Sequence, residues 1–163
     1  MKKLIYTLLI IIALTNNSFA AGSSSDSDST PKASDYTKAK NLIKAAKKYE
    51  KKGKIDKAQE RYAKAQKLLL KSNEIKPLQA DTLNYLGFTT RKLGDYEKGE
   101  KFYLLGLQVE PNHNGINEYL GELYVVTNRI DMAKERLEVL KTCNCEEFDE
   151  LKEIIEGTKK SKY

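Results

Sequence analysis

Bulky apolar side chains in residues 93–113, LGDYEKGEKFYLLGLQVEPNH, alternate with charged ones over most of a helix and then stop at Pro111. The spacing predicts a helix that buries one stripe and exposes the rest. The pattern recurs. With Gly87 set on Gly121, ADTLNYLGFTTRKLGDYEKGEKFYLLGLQVEPNH (80–113) is followed at a period of 34 residues by NGINEYLGELYVVTNRIDMAKERLEVLKTCNCEE (114–147). Leu86-Gly87 and Leu120-Gly121 share places in this frame, as do Gly99 and Ala133, and Tyr103 and Leu137. A looser copy begins near Ala39 and puts Ala46, Tyr49, Gly53, Ala58, Tyr62 and Ala65 in the same frame. The first two copies stand 41 residues apart, Gly53 to Gly94. The excess is almost two helical turns. The second helix of the first copy is therefore expected from Ile55 to about Asn73, with Leu68, Leu69, Leu70, Ile75 and Leu78 as core near or beyond its end. After the third copy, Phe148, Leu151, Ile154 and Ile155 recur at three- and four-residue spacing. That predicts an amphipathic capping helix over 147–159 and a frayed tail over 160–163.

These residues carry a resemblance. The middle copy is similar to a tetratricopeptide repeat (TPR), a helix–turn–helix unit of about 34 residues. Leu83, Leu86, Gly87, Tyr103 and Pro111 match its pattern in the middle copy, and Leu120, Gly121, Tyr124 and Ala133 match it in the third. Thr90, Gly99, Gly106 and Cys145 depart from it. The resemblance spans residues 39–147 and implies an all-α solenoid of about three repeats, 39–79, 80–113 and 114–147, within a TPR domain over 35–159. Small exported bacterial TPR proteins of uncharacterised function look similar as well. Small residues where paired helices cross allow close backbone approach. Gly99 and Gly106, each costing ~1 kcal/mol in a helix relative to Ala, are expected at tight contacts.

In the family the concave face, lined by the first helix of each unit, commonly holds a peptide. Transferred place by place, it comprises Lys40, Ile43, Lys47, Glu50 and Lys51, then Asp81, Asn84, Phe88, Arg91 and Lys92, then Gly115, Glu118, Glu122, Val125 and Val126. Tyr85 and Tyr119 flank the seam between these helices. The resemblance implies a partner-binding set of Asn84, Phe88, Arg91, Lys92, Glu118, Glu122 and Lys47, with Phe88 as an exposed aromatic beside Arg91, the pairing typical of binding hot spots. The TPR clamp for the C-terminal carboxylate of chaperones uses a Lys/Asn set. Ile43, Lys47, Tyr85, Gly115 and Tyr119 hold those places here, so that clamp is absent.

The N-terminus supplies a location. MKKLIYTLLIIIALTNNSFA has two lysines, an apolar run from Leu4 to Leu14 and a Ser18-Phe19-Ala20 end. This is the layout of a secretory signal peptide, residues 1–20, with cleavage expected after Ala20. The run is too short for a membrane anchor, since spanning needs ~20 residues. The short charged start looks bacterial, which points to the periplasm, with secretion as the alternative. Residues 21–34, rich in Ser and Asp, read as a flexible leader. The net charge is +6, of which Lys2 and Lys3 leave with the signal segment. The mild remainder suits acidic partners or surfaces and is no nucleic-acid footprint.

Cys143 and Cys145, in KTCNCEE, are the two cysteines of the chain. An exported chain meets an oxidising compartment, so the pair reads as a structural staple, as a labile disulfide, or as part of a metal site with Glu146, Glu147 or His113. Two thiolates alone make an incomplete site, and neither a metal nor a cofactor is expected. His113 is the sole histidine and falls in an inter-repeat turn. No phosphate loop, metalloprotease pair or nucleophile elbow is present, so an enzyme is not expected. The sequence thus reads as an envelope adaptor for a protein or peptide partner. A small periplasmic redox or metal-handling protein using the Cys pair is the alternative.

Overall fold

The computed structural model describes residues 34–161. The signal segment over 1–20, the leader up to its last residue, and Lys162 and Tyr163 lie outside the described residues. Seven helices follow one another: α1 (Asp35–Lys51), α2 (Ile55–Ile75), α3 (Ala80–Lys92), α4 (Tyr96–Val109), α5 (Asn114–Val126), α6 (Ile130–Leu140) and α7 (Glu146–Ile155). Helices α1 and α2, α3 and α4, and α5 and α6 pack as consecutive pairs, and α7 closes the stack against α5 and α6. The described chain is an all-α helical repeat solenoid.

The repeat is visible in the backbone. Gly53, Gly94 and Asn128 hold the same place in their units and share a left-handed conformation, φ +66°, +95° and +57°. The next amide reaches back to a carbonyl of the preceding helix each time: Lys54 to Tyr49, Asp95 to Thr90 and Arg129 to Tyr124, at 2.9, 3.2 and 2.7 Å. This is the Schellman closure, which satisfies carbonyls that the helix end would otherwise leave unpaired. Asparagine serves in the third unit because its short polar side chain tolerates the left-handed region. The second helices then begin at one common place, Ile55, Tyr96 and Ile130.

The glycines within helices sit where side chains press close. A methyl on Gly87 would overlap the Tyr103 ring. A Cβ on Gly106 would stand 2.5 Å from Ile116 Cδ1, and one on Gly99 3.1 Å from the Gly87 carbonyl. The tight contact expected at Gly99 and Gly106 is present. One apolar cluster joins α1, α2 and α3 through Ile43, Tyr62, Leu69, Leu83, Leu86 and Phe88. A second joins α4 to α6 through Tyr103, Ile116, Leu120, Leu123 and Ala133.

Three expectations are corrected. Helix α2 runs two residues beyond Asn73, yet only Leu69 is fully buried there. Leu70, Ile75 and Leu78 are 40%, 68% and 49% exposed, because the extra turns of α2 project past the neighbouring helices instead of over a core. The capping helix begins at Glu146 and ends at Ile155, where Gly157 (φ +73°) turns the chain. The tail is not frayed as far as it is described: Lys159 Nζ bonds Glu150 at 3.0 Å, and Ser161 bonds Glu122.

Candidate functional site

Helices α1, α3 and α5 lie side by side on one face of the stack, here called the inner face. Lys47 on α1 reaches across α3: its Nζ sits 4.6 Å from the centroid of the Phe88 ring and donates to Tyr119 Oη on α5 at 3.4 Å. A side chain can tie the outer two of three helices only if the face curves inward. Phe88 is wedged between Tyr62 and Tyr119, ring centroids 5.7 and 5.1 Å away. Such ring pairs contribute ~0.5–1.5 kcal/mol beyond area burial, and a cation on a ring face adds to this.

Two ion pairs stitch the same face. Lys92 Nζ lies 2.6 Å from Glu50 Oε1, and Tyr62 Oη donates to Glu50 Oε2 at 2.8 Å, linking α1, α2 and α3. Arg91 Nη1 donates to the Tyr119 carbonyl at 2.6 Å, and its Nη2 stands 3.6 Å from Glu122 Oε2, linking α3 to α5. Arg91 and Glu122 side chains are both fully buried. Burial pushes the Arg91 guanidinium down to about 10, so it stays charged at neutral pH. Removal from water likewise raises the Tyr103 and Tyr62 hydroxyls well above the ordinary tyrosine range.

Towards the helix starts, a cavity of about 380 Å³ opens between α3 and α5, lined by Asp81, Asn84, Tyr85, Glu110, His113, Glu118, Tyr119 and Glu147. Its four carboxylates make it acidic, in contrast to the Lys47–Lys92 end. A larger cavity, about 580 Å³, lies by the projecting end of α2, lined by Asp35, Tyr36, Lys71, Ile75 and Asp81.

The expected site residues are thus brought together, but not as expected. Phe88 and Arg91, anticipated as exposed, are each only 1% accessible, and Asn84, Glu118 and Glu122 are buried too. Inward curvature packs first-helix side chains against one another instead of leaving them to solvent. Lys47, Lys92, Tyr85 and Tyr119 keep partial exposure. Glu50 and Tyr62 belong to the same network, and Tyr62 is supplied by a second helix, which a place-by-place transfer to first helices does not reach.

A disulfide joins Cys143 to Cys145 in the link between α6 and α7, so the pair is not a dithiol here. No group of three or more potential ligands capable of holding a metal occurs among the described residues. His113 caps α5, its Nδ1 accepting from Ile116 N at 3.2 Å, with Nε2 3.4 Å from Asp81 Oδ1. It is part of a helix start and not a loose loop residue.

A scan against protein-family models finds no match for the chain, and a search of curated proteins finds none either. Among solved structures the chain is similar to the first TPR of Spaghetti (RPAP3) bound to HSP90 peptide SRMEEVD. The identity is 21% and the TM-score 0.48, over 78% of this chain and 98% of that one. It is also similar to the first TPR domain of the human RPAP3 protein, at 21% identity and a TM-score of 0.47, over 77% and 98%. The fold itself rests on the helix pairs and their three equivalent turns. Among the described residues, no helix is long and apolar enough to cross a membrane.

Proposed function

We propose that this chain is a protein-interaction adaptor that captures an extended partner segment on its inner face, in the periplasm of a bacterial envelope. The observation that carries the reading is the bridge from Lys47 over Phe88 to Tyr119, which defines one curved face across three helices. Rings and cations meet at one end of that face and carboxylates at the other, a polarity suited to fixing the direction of a bound segment. Tyr85, Tyr119, Lys47 and Lys92 are the side chains that would meet it. Buried Phe88, Arg91 and Glu122 hold those side chains in place.

The envelope location is supported by the signal-like residues 1–20 and by the Cys143–Cys145 disulfide, since disulfides persist in oxidising compartments. The test is crosslinked capture by residues 21–163 from envelope extract, run beside a Lys47→Glu/Tyr85→Ala variant. A protein caught by the parent chain and lost from a variant of unchanged thermal midpoint supports the reading. Equal capture by both removes it.

A further inference from the structure

The smaller cavity, between α3 and α5, has a chemistry of its own. Asp81, Glu110, Glu118 and Glu147 stand around it, and none of the described residues lining it is a lysine or arginine. Glu110 and Glu147 make no ion pair among the described residues. His113, the titratable nitrogen of the wall, is engaged with the Ile116 amide and with Asp81, at 3.2 and 3.4 Å. Asn84 lies in the same wall, is only 6% accessible, and its side-chain oxygen has no hydrogen-bond partner. A buried acceptor left unpaired is costly and rare in a folded chain. Its place in a cavity wall points to a donor that arrives from outside. Gly115 keeps that wall open, since a Cβ there would stand 2.8 Å from Asn84 Nδ2.

We propose that this cavity is a binding site for an organic cation with N–H donors, the ammonium of a lysine-like chain or the guanidinium of an arginine-like one. The Asn84 oxygen lacks a donor and the carboxylates lack a counter-charge, and such a group supplies both. The described residues bring no three potential ligands close enough to hold a metal ion. The carboxylates therefore act as a field and not as a chelate. Such a field, set in a recess with low-dielectric walls, draws in a cation from several sides. Tyr85 and Tyr119 add ring surface to the wall, on which cations also settle. Lys47 donates to the Tyr119 hydroxyl at 3.4 Å, so the basic and acidic ends of the inner face meet at that ring. The source of the cation rests on the adaptor reading, under which it is a basic side chain of the captured segment. The site itself does not depend on that reading.

The experiment follows the backbone amide shifts of isotope-labelled residues 21–163 as acetyl-lysine methylamide is added, with the norleucine compound as its neutral isostere. The expected result is a saturable shift at Asn84, Gly115 and Glu118, in the roughly mM range that so few atoms allow. The norleucine compound should leave these amides in place. Glu110→Gln/Glu147→Gln should weaken binding about tenfold, the attraction of two carboxylates a few ångströms from a cation near the surface. That variant should keep the parent's thermal midpoint. Gly115→Ala leaves every charge in place but crowds the Asn84 amide, and should weaken binding about threefold to tenfold, the worth of one impaired hydrogen bond. No saturable shift with the lysine compound, equal shifts with norleucine, or undiminished binding by the glutamine pair would overturn the proposal. Butylamine and a capped alanine pentapeptide with lysine at its centre separate the two sources. Tighter binding of the peptide supports a partner segment. Equal affinity would assign the site to a free amine and count against the partner reading, with the cation site standing. Failure to capture a partner from envelope extract leaves these shifts untouched.

Discussion

Helices α3 and α4 form one pair, yet they are built differently. Helix α3 buries ten of its 13 residues, whereas α4 buries Gly99, Tyr103 and Gly106 of 14. All the buried polar and charged side chains among the described residues lie on α3 or α5: Thr82, Asn84, Thr89, Thr90, Arg91, Asn117, Glu118 and Glu122. An outer helix meets its neighbours along one stripe, and small residues with one tyrosine suffice for that stripe. An inner helix in mid-stack is enclosed on several sides, so even its polar places are taken from water. Buried polar groups then need partners, and those partners come from neighbouring helices. The inner layer therefore holds the stack in register, and the outer layer supplies its spacing.

The broadest way to break this contrast is alkaline pH, because tyrosines of both layers are held protonated by burial. Tyr36, Tyr62 and Tyr103 are raised well above 10, and Tyr85 and Tyr124 are raised too, burial being the first cause in each case. A raised folded-state value keeps the proton that the unfolded chain sheds above pH 10, so their stabilisation is complete below pH 10 and lost progressively above it. Arg91 works in the opposite sense, its depressed value relieving a burial cost above about 10, but it is one group against five. Urea midpoints should fall steeply between pH 9 and about pH 11.5; a flat profile would mean the hydroxyls are not buried.

Next in size is Arg91→Ala, which leaves Glu122 charged and enclosed. It should cost about 3–5 kcal/mol in urea unfolding, while Arg91→Met combined with Glu122→Met should recover much of the loss. A cost under ~1 kcal/mol would show that the pair is solvated. Gly87→Ala should follow with a loss of about 1–3 kcal/mol, because the methyl meets the Tyr103 ring where both layers cross. Tyr103→Leu in the same chain should offset part of that strain, and an unchanged midpoint for the single variant would argue against close crossing.

Reduction of the Cys143–Cys145 disulfide should have a smaller and local effect. The closed ring is very short, so the chain-entropy contribution is only about 1.5 kcal/mol. Hydrogen exchange should rise in α7 and leave α1 to α4 unaltered; protection lost across the whole chain would make the staple global. Smallest of all, breaking the exposed Glu60–Lys64 pair with Lys64→Ala should leave the urea midpoint essentially unchanged, since solvent screens both charges.

The repeat was legible because it is written in local requirements: glycine or asparagine where the backbone must turn left-handed, small residues where helices cross, aromatics where they fill. Helix α2 was legible for the same reason, its added turns appearing as added residues. Its apolar end was misjudged, since Leu70, Ile75 and Leu78 look like core unless one knows that no neighbour covers them. The residues transferred from the repeat pattern lie on α1, α3 and α5, yet Phe88 and Arg91, expected in solvent, are buried. Their exposure depends on how strongly α1, α3 and α5 converge, and a repeat period carries no curvature. Ser161 gave no signal at all, being one serine in a short basic tail.

Taken alone, the sequence determined the number of helix pairs, where each turn lies, which residues cross closely, and the amphipathic cap, because backbone conformation and helical periodicity act over a few residues. Only the tertiary structure decided that Arg91 and Glu122 are sealed together, that Lys47 spans three helices, and that the described tail ends on the inner face. These contacts join residues 28 to 72 positions apart, and packing of whole helices, which no short stretch encodes, sets their distances.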